Sequence, residues 1–433
     1  MARLLQNPRG TKDILPDEQK YWQYIFDIVK TQMGIFGAGR IETPIFEFAE
    51  TYVRSIGKGT DIIDKEMFGV RRISNFESDN SNEEDSRIMV LRPEYTAGIM
   101  RSYIQNGMDN LPQPVKLWYF GPAFRYERPQ AGRYRIHNQF GVEVIGDSDS
   151  LTDVAVIFLA IETLNKIGIK NIKIDINSIG CPICRPKMRK KQIEYFQNFL
   201  PDLCPDCNRR YVENPLRIFD CKETKCQRII SGAPPIIDML CDNCKAHFKE
   251  VLENLDSLQV NYNLNPRLVR GLDYYTRTVF EFYLNDDDRN LALLGGGRYD
   301  ALAPILGGKE TPAIGWSAGV ERIVSVLKEK EIPVLEEQMT DICLIQIGAK
   351  AKKVAFVLMK QLVAENLRVT NILGKESLKA QLRAVGKMGA RIALIVGQRE
   401  TMDKTAIFKD MDTGFQETVD QNKLIEFLKK KLK

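Results

Sequence analysis

At 433 residues, with 44% hydrophobic and 27% charged positions, the chain is long enough for a sizeable core spread over two or three domains. No apolar run approaches the ~20 residues of a membrane span, and the opening MARLLQNPRGTKD lacks a signal-peptide core. A soluble, cytoplasmic protein is therefore expected. The net charge of +5 is mild but uneven: residues 340–433 carry 18 Lys+Arg against 10 Asp+Glu, a basic C-terminal module beside a slightly acidic body.

Residues 8–30 open on PRGTKDILPDE and continue as an amphipathic helix with Tyr21, Ile25, Ile28 and Val29 on one face. Gly39 to Phe48 (GRIETPIFEF) predicts a short strand ending at Pro44, which cannot continue a ladder. The acidic stretch Asn75 to Ser86 predicts a loop at a hairpin tip. In LRPEYTAG, Leu91 to Gly98, Glu94 and Thr96 share parity, so on an extended segment they suit an ammonium group; the bland alternative is a helix start whose loose amides they satisfy.

Val115 to Pro122 predicts a strand that feeds Phe124 to Val144, FRYERPQAGRYRIHNQFGVEV, two extended segments joined by turn chemistry at Pro129 to Gly132. Parity sorts this hairpin into faces. Arg125, Glu127, Arg133, Arg135, His137, Gln139 and Glu143 fall on one; Phe124, Tyr126, Tyr134, Ile136, Phe140, Val142 and Val144 fall on the other. The polar face is either a solvated, salt-laced surface or a platform whose arginine forks take phosphate and carboxylate. A helix over Leu151 to Ile167 and a strand over Ile172 to Ile176 follow.

Eight of the nine cysteines then crowd into one segment: Cys181/Cys184, Cys204/Cys207 and Cys241/Cys244, each spaced C-x2-C, with Cys221 and Cys226 five apart. A C-x2-C turn presents two thiolates to one metal, and tetrahedral zinc takes four. Disulfides do not suit a cytoplasmic chain, and three pairs do not suit a redox motif. Eight sulfurs suffice for two structural zinc ions or for one with spare thiols, and an iron–sulfur cluster is the competing expectation. Cys343, in DICLIQI, is expected to be a small buried apolar residue.

Alternation in Thr278 to Phe282 predicts a strand entered through Arg270-Gly271-Leu272-Asp273-Tyr274-Tyr275, where a cation stands beside a glycine. LLGGGRYD, Leu293 to Asp300, lacks both the G-x-G-x-x-G spacing and a following Gly-Lys-Ser/Thr, so Rossmann and P-loop assignments fail. Ala313 to Val324 (AIGWSAGVERIV) predicts a strand, a glycine-rich turn at Gly315 to Gly319, and a helix with Arg322 in its first turn. After a charged connector at 328–339, strands at 341–347, 367–372, 391–396 and 405–411 alternate with helices at 352–365, 377–387 and 421–432, a small α/β domain.

FRYERPQAGRYR…QFGVEV resembles the second signature motif of class II aminoacyl-tRNA synthetases in the form used by histidyl-tRNA synthetases. RGLDYY resembles the signature peculiar to that family, AIGWSAGVERIV the third class II motif, and GRIETPIFEF the first, which builds a dimer interface. The resemblance implies an α+β fold: an antiparallel class II sheet core over 1–178 and 259–330, a Cys-rich insertion at 179–258, and an α/β anticodon-binding domain at 336–433. It implies a homodimeric ligase that activates L-histidine with ATP and Mg2+ and transfers it to tRNA(His). Arg125, Glu127 and Arg322 are then assigned to ATP, with Arg125 and Arg270 gripping the α-phosphate and the histidine carboxylate. Glu94, Thr96 and Gln139 are assigned to the ammonium group, and Glu143, Tyr275 and Tyr299 to the imidazole. LLGGGRYD becomes a flexible loop beside that site. Two departures from the family pattern stand out, Tyr95 and the run Ile136-His137-Asn138. The rival assignments are a non-catalytic, synthetase-like regulatory subunit of histidine biosynthesis and a class II synthetase for another amino acid.

Overall fold

Apolar side chains at every second position of several long strands require a sheet with one face against a helical layer, and the chain builds one. The computed structural model describes residues 4–57, 60–71, 88–127, 133–285, 291–334, 340–372, 374 and 377–432. The expected turn at 129–132 and acidic loop at 75–86 lie outside them. The chain divides into two compact units, Met1–Val334 and Leu335–Lys433.

The first unit holds an eight-stranded sheet with spatial order Gly39–Arg40, Val115–Phe124, Ile136–Ile145, Ala313–Gly319, Ala292–Arg298, Thr276–Leu284, Ile172–Ser178, Asn263–Leu264. The six inner strands are antiparallel, and the two short edge strands run parallel to their neighbours. Trp118, Phe140, Val142, Val144, Phe280, Phe282 and Trp316 point from one face into a core completed by the helices Pro16–Ile35, Ser150–Ile167, Asp242–Ser257 and Val320–Glu329. Each large apolar side chain fully buried there contributes about 1.5–3 kcal/mol. Asp149 caps the Ser150–Ile167 helix by accepting from the Leu151 amide at 2.8 Å, and the Trp316 indole N–H donates to the Val156 carbonyl at 3.1 Å, so the core leaves that dipole satisfied.

Three expectations need correction. Pro44 interrupts GRIETPIFEF rather than ending it: Gly39–Arg40 joins the large sheet, while Phe46–Phe48 pairs with Met89–Leu91 in a separate three-stranded sheet. LLGGGRYD is not a loop. Ala292–Arg298 is a buried central strand, paired on both sides. Ala313–Gly319 likewise runs straight, without a turn, into the helix Val320–Glu329. In both places glycine marks close approach rather than a bend, since a Cβ on Gly296 would meet Trp316 and Phe280 at 2.6 and 2.8 Å.

Between Ser178 and Asn263 the chain leaves the sheet for short helices, Arg185–Phe196, Pro205–Glu213, Thr224–Ser231 and the start of Asp242–Ser257, with all eight cysteines free thiols. The second unit has a five-stranded sheet ordered Val369–Asn371, Ile342–Gln346, Ile392–Val396, Thr405–Asp410, Gln416–Asp420, parallel over the first three strands and antiparallel over the rest. Its two central strands, ICLIQ and IALIV, are buried throughout, as strands covered on both faces must be. Cys343 is one of these core residues. The strand Gln416–Asp420 and the helix Gln398–Asp403 lacked the apolar periodicity that would have announced them: the strand buries only Val419 and the helix nothing.

Candidate active site

On the face opposite the helical layer, the same sheet carries a cavity of about 300 Å3. Parity works as expected along Ile136–Ile145: His137 and Gln139 line the cavity while Phe140, Val142 and Val144 enter the core. It fails at Tyr126 and Ile136, which lie exposed beyond the core-packed part of the sheet, and at Tyr134, which lines the cavity instead of the core.

Register explains how large polar groups fit on this floor. Glu143 is paired across the ladder with Gly315, Gln139 with Gly121 and Gly319, and Glu281 with Gly295. A Cβ on Gly315 would collide with the Glu143 carboxylate, and one on Gly295 would stand 2.7 Å from the Arg270 Cζ. The glycines thus clear space on one strand for functional groups carried by another.

Glu143 is the most buried acid of this face. The Thr96 hydroxyl donates to its Oε1 at 2.7 Å and the Tyr299 hydroxyl to its Oε2. Burial nevertheless outweighs those bonds and pushes its carboxyl up to about 8, so the ligand-free site favours the neutral acid. Glu94 is also buried and also raised, chiefly by desolvation. It accepts from the Thr96 and Ala97 amides at 2.6 and 2.9 Å, so it caps the helix Thr96–Gln105 as the bland alternative required, while still lining the cavity. Tyr274, Tyr275 and Tyr299 form an aromatic wall with centroids 4.8–6.5 Å apart.

The cationic side is built by Arg125, Arg133, Arg270 and Arg322, which all line the same cavity. Arg125 is oriented by the Pro93 carbonyl at 2.9 Å, and Glu127 lies between Arg125 and Arg133 at 3.8 and 3.5 Å. Arg322 donates to the Ala292 carbonyl; its pKa is lowered by burial and by Arg133 and Arg125 nearby. Arg270 is ion-paired with Glu281, whose other oxygen takes the Tyr283 hydroxyl. Four guanidinium groups on one cavity offer forks to a polyanion, although Glu127 and Glu281 already pair with three of them.

The two sequence departures are accommodated locally. Tyr95 is buried and stacked on Tyr119 at 4.2 Å, with the Arg92 guanidinium 4.1 Å from its ring. Asn138 fixes Glu321, the second residue of the Arg322 helix, through its amide at 2.8 Å and its side chain at 3.1 Å. Burial and the nearby Arg125 and Arg322 drop His137 to about 3, so it faces the cavity as a neutral ring.

Every residue assigned by sequence to ATP or to histidine lines this cavity except Glu143 and Tyr299, which stand directly behind its wall, bonded to each other. Sequence reading missed Tyr274, Glu281, Tyr283, Asp220 and Lys222. The parity of the Thr276–Leu284 strand could have flagged Glu281 and Tyr283 as facing away from Phe280 and Phe282. Nothing local could have flagged Asp220 or Lys222, which arrive from the cysteine-rich segment.

That segment resolves into two groups of four sulfurs, Cys181, Cys184, Cys241 and Cys244, and Cys204, Cys207, Cys221 and Cys226, each within 4.8 Å of one another. Four thiolates about 2.3 Å from one tetrahedral ion sit about 3.8 Å apart. The observed separations of 3.8 Å (Cys181–Cys184), 3.9 Å (Cys181–Cys241) and 3.8 Å (Cys204–Cys221) fit that geometry.

An antiparallel sheet bearing this cavity on one face, with helices on the other, is the catalytic architecture of class II aminoacyl-tRNA synthetases; a solved histidyl-tRNA synthetase from S. aureus superposes with a TM-score of 0.79 at 32% identity, covering 98% of this chain and 99% of that one. The histidyl-tRNA synthetase family model matches residues 10–181 and 237–323, and an anticodon binding domain model matches 341–431. The chain is 42% identical to the histidine–tRNA ligase of Desulforamulus reducens over 98% of its length and 99% of the relative's, and 42% identical to that of Acetivibrio thermocellus over 98% and 100%. The chain belongs to the histidyl-tRNA synthetase family. A Bacillus halodurans structure titled as an ATP phosphoribosyltransferase regulatory subunit/histidyl-tRNA synthetase, at 20% identity and a TM-score of 0.62, shares the fold alone.

Proposed function

We infer that the chain is a histidine–tRNA ligase, which forms histidyl-adenylate from histidine and ATP and transfers the histidyl group to tRNA(His). The observation that carries this is the convergence of Arg125, Arg270 and Arg322, from three separate segments, on one cavity whose other wall is Glu94, Thr96, Tyr275 and the Glu143–Tyr299 pair behind it.

In the activation step the histidine carboxylate attacks the α-phosphorus in line, the P–O bond to the β-phosphate breaks, and pyrophosphate leaves. The attacking carboxylate is already ionised, so no protein base is required. Positioning and charge neutralisation do the work. Arg125 and Arg270 hold the α-phosphate and the histidine carboxylate. Arg270 can reach them by exchanging its Glu281 partner for the stronger charge of the substrates. Arg322 and Glu127 serve the ATP tail, with Mg2+ arriving on the nucleotide to neutralise its phosphates. Glu94, Thr96 and Gln139 take the α-ammonium group. Glu143 accepts from one imidazole nitrogen and Tyr275 meets the other, with Tyr299 orienting the carboxylate, so an apolar isostere would leave buried polar groups unpaired.

The domain roles follow: catalysis in 1–178 and 259–330, an insertion in 179–258, and anticodon binding in 336–433, where the basic surplus suits RNA phosphate. The two four-cysteine groups fit structural zinc, which would lock a module of short helices around buried residues such as Phe196, Ile218, Phe219 and Ile230. Exposed Ile45, Phe46 and Phe48 on the first motif support a homodimer. No described helix is long and apolar enough to cross a membrane, in keeping with work in the cytoplasm. Pyrophosphate exchange measured with each amino acid in turn tests the assignment. Exchange with histidine alone is expected; exchange with another amino acid, or with none, overturns it.

A further inference from the structure

Arg270 and Tyr275 sit at the two ends of the segment Arg270 to Tyr275. The catalytic body holds it through Arg270–Glu281, the Asp273 amide donating to the Ile56 carbonyl at 3.2 Å and the Tyr274 hydroxyl donating to Glu94 at 3.4 Å. A second set of tethers comes from outside the sheet. The Arg217 Nε donates to the Asp273 Oδ1 at 2.9 Å, and a second nitrogen of the same guanidinium donates to the Gly271 carbonyl. The Asn214 side chain donates to the same Asp273 oxygen at 3.0 Å. Arg185 donates to the Tyr275 carbonyl at 2.6 Å. All three donors belong to the cysteine-rich insertion, and each is tied to a four-sulfur group, Asn214 through its backbone amide, which donates to the Arg210 carbonyl at 2.8 Å. Arg185 directly follows Cys184, Arg217 lies in the turn Pro215–Asp220 that ends at Cys221, and Arg210, three residues after Cys207, donates to the Arg217 carbonyl at 3.3 Å.

Packing holds only one side of the segment. Tyr274 and Tyr275 are buried in the core, but Gly271, Leu272 and Asp273 are not, and on their side lies a cavity of about 580 Å3 lined by Arg185, Asn214, Leu216, Asp273 and Tyr274. That part of the loop depends on its polar tethers for position. Arg217, with a planar fork that takes a carboxylate and a carbonyl together, is suited to hold such a segment in one place.

We propose that the insertion acts as a clamp on the histidine site: Arg217 and Arg185 are positioning residues that hold the Arg270–Tyr275 segment in register with the substrate, and the two four-sulfur groups are the frame that aims them. The proposal rests on the assignment of Arg270 and Tyr275 to histidine, but not on which metal the sulfurs hold.

The test is a pyrophosphate-exchange series on the full chain with Arg217→Met, Arg217→Lys, Arg185→Met, Asp273→Asn, the Arg217→Met/Asp273→Asn double variant, and Arg270→Ala as reference. Loss of the clamp raises the KM for histidine about 10-fold and lowers kcat/KM for histidine by up to about 100-fold, the cost of misplacing a reacting partner by about 1 Å. The KM for ATP rises much less than that for histidine, by no more than about three-fold, because of the ATP residues only Arg270 lies on the loosened segment while Arg125, Glu127 and Arg322 do not. Arg217→Lys falls between, since an ammonium cannot take both acceptors with fork geometry. The double variant is no worse than Arg217→Met, because the two residues act through one contact. A purely structural role predicts instead a smaller active fraction, with kcat reduced and both KM values unchanged, and that result overturns the proposal. If Arg217→Met does not fold, the Asp273→Asn and Arg217→Lys values decide the question by the same split. If Arg270→Ala leaves exchange intact, the assignment of the site fails instead.

Discussion

The catalytic cavity and the cysteine-rich insertion solve one problem, holding polar groups still, by opposite means. The cavity floor is a continuous antiparallel ladder whose far side buries a large apolar core, so Gln139, Glu143 and Glu281 are set on strands that cannot move independently, while Arg125, Arg270 and Arg322 enter from segments beside it. Its cost is electrostatic: Glu143 and Glu94 are driven toward neutrality by burial. The insertion has short helices and turns, and its register is set by two groups of sulfurs. A rigid sheet can carry charge without a metal, whereas a module of short helices needs cross-links to aim a side chain.

The largest expected effect tests the sheet side. Arg270→Ala should lower histidine-dependent pyrophosphate exchange about 1000-fold, the scale for loss of a charged group that meets the transition state. A loss under about 10-fold would mean that the Arg270–Glu281 pair is only a structural ion pair.

Glu143→Gln should cost about 10-fold in kcat/KM for histidine, since the amide keeps one acceptor but its NH2 faces the Thr96 or Tyr299 hydroxyl and loses one buried hydrogen bond. It carries a second, independent signature. A carboxyl raised from 4.5 to about 8 keeps its proton in the folded chain over a range where the unfolded chain has lost it. Stability from this group is therefore present below about 4.5 and is lost as pH rises through about 8. Glu143→Gln removes that loss, so its denaturation midpoint relative to the parent should climb between pH 5 and pH 8. A flat difference across that range would show that Glu143 is ionised in the ligand-free fold.

Replacing one sulfur in each group sharpens the comparison from the insertion side. Cys204→Ser and Cys244→Ser should each reduce bound zinc from two ions per chain to one, read by metal analysis, with exchange falling about 10-fold, as when a ligand's supporting partner is lost. Unchanged metal content in both variants would remove zinc from the account while leaving the sheet untouched. At the small end, Tyr95→Phe keeps the stack on Tyr119 and the Arg92 contact, and should change exchange by less than about two-fold.

Much of this site was legible in residues alone. Parity in Phe124–Val144 separated the cavity face from the core face, because a strand exposes alternate side chains whatever it packs against. The C-x2-C spacings marked metal-like pairs, because two thiolates must meet on one turn. LLGGGRYD misled, because the resemblance made it a flexible loop and no local pattern records that the Arg270 guanidinium and the Trp316 side chain press on its glycines. Asp220 and Lys222 stayed invisible for a related reason: each reaches the cavity from a segment whose own pattern contains no trace of it.

By itself, then, the sequence determined the kind of chemistry and the elements that carry it, since residue type and periodicity are local properties. The tertiary structure alone decided which cysteines share a centre, with the outer pairs on one and the inner four on the other. It also decided that Arg185 and Arg217 reach across to the histidine segment. Both depend on how chain segments far apart in sequence are brought together, which no local pattern records.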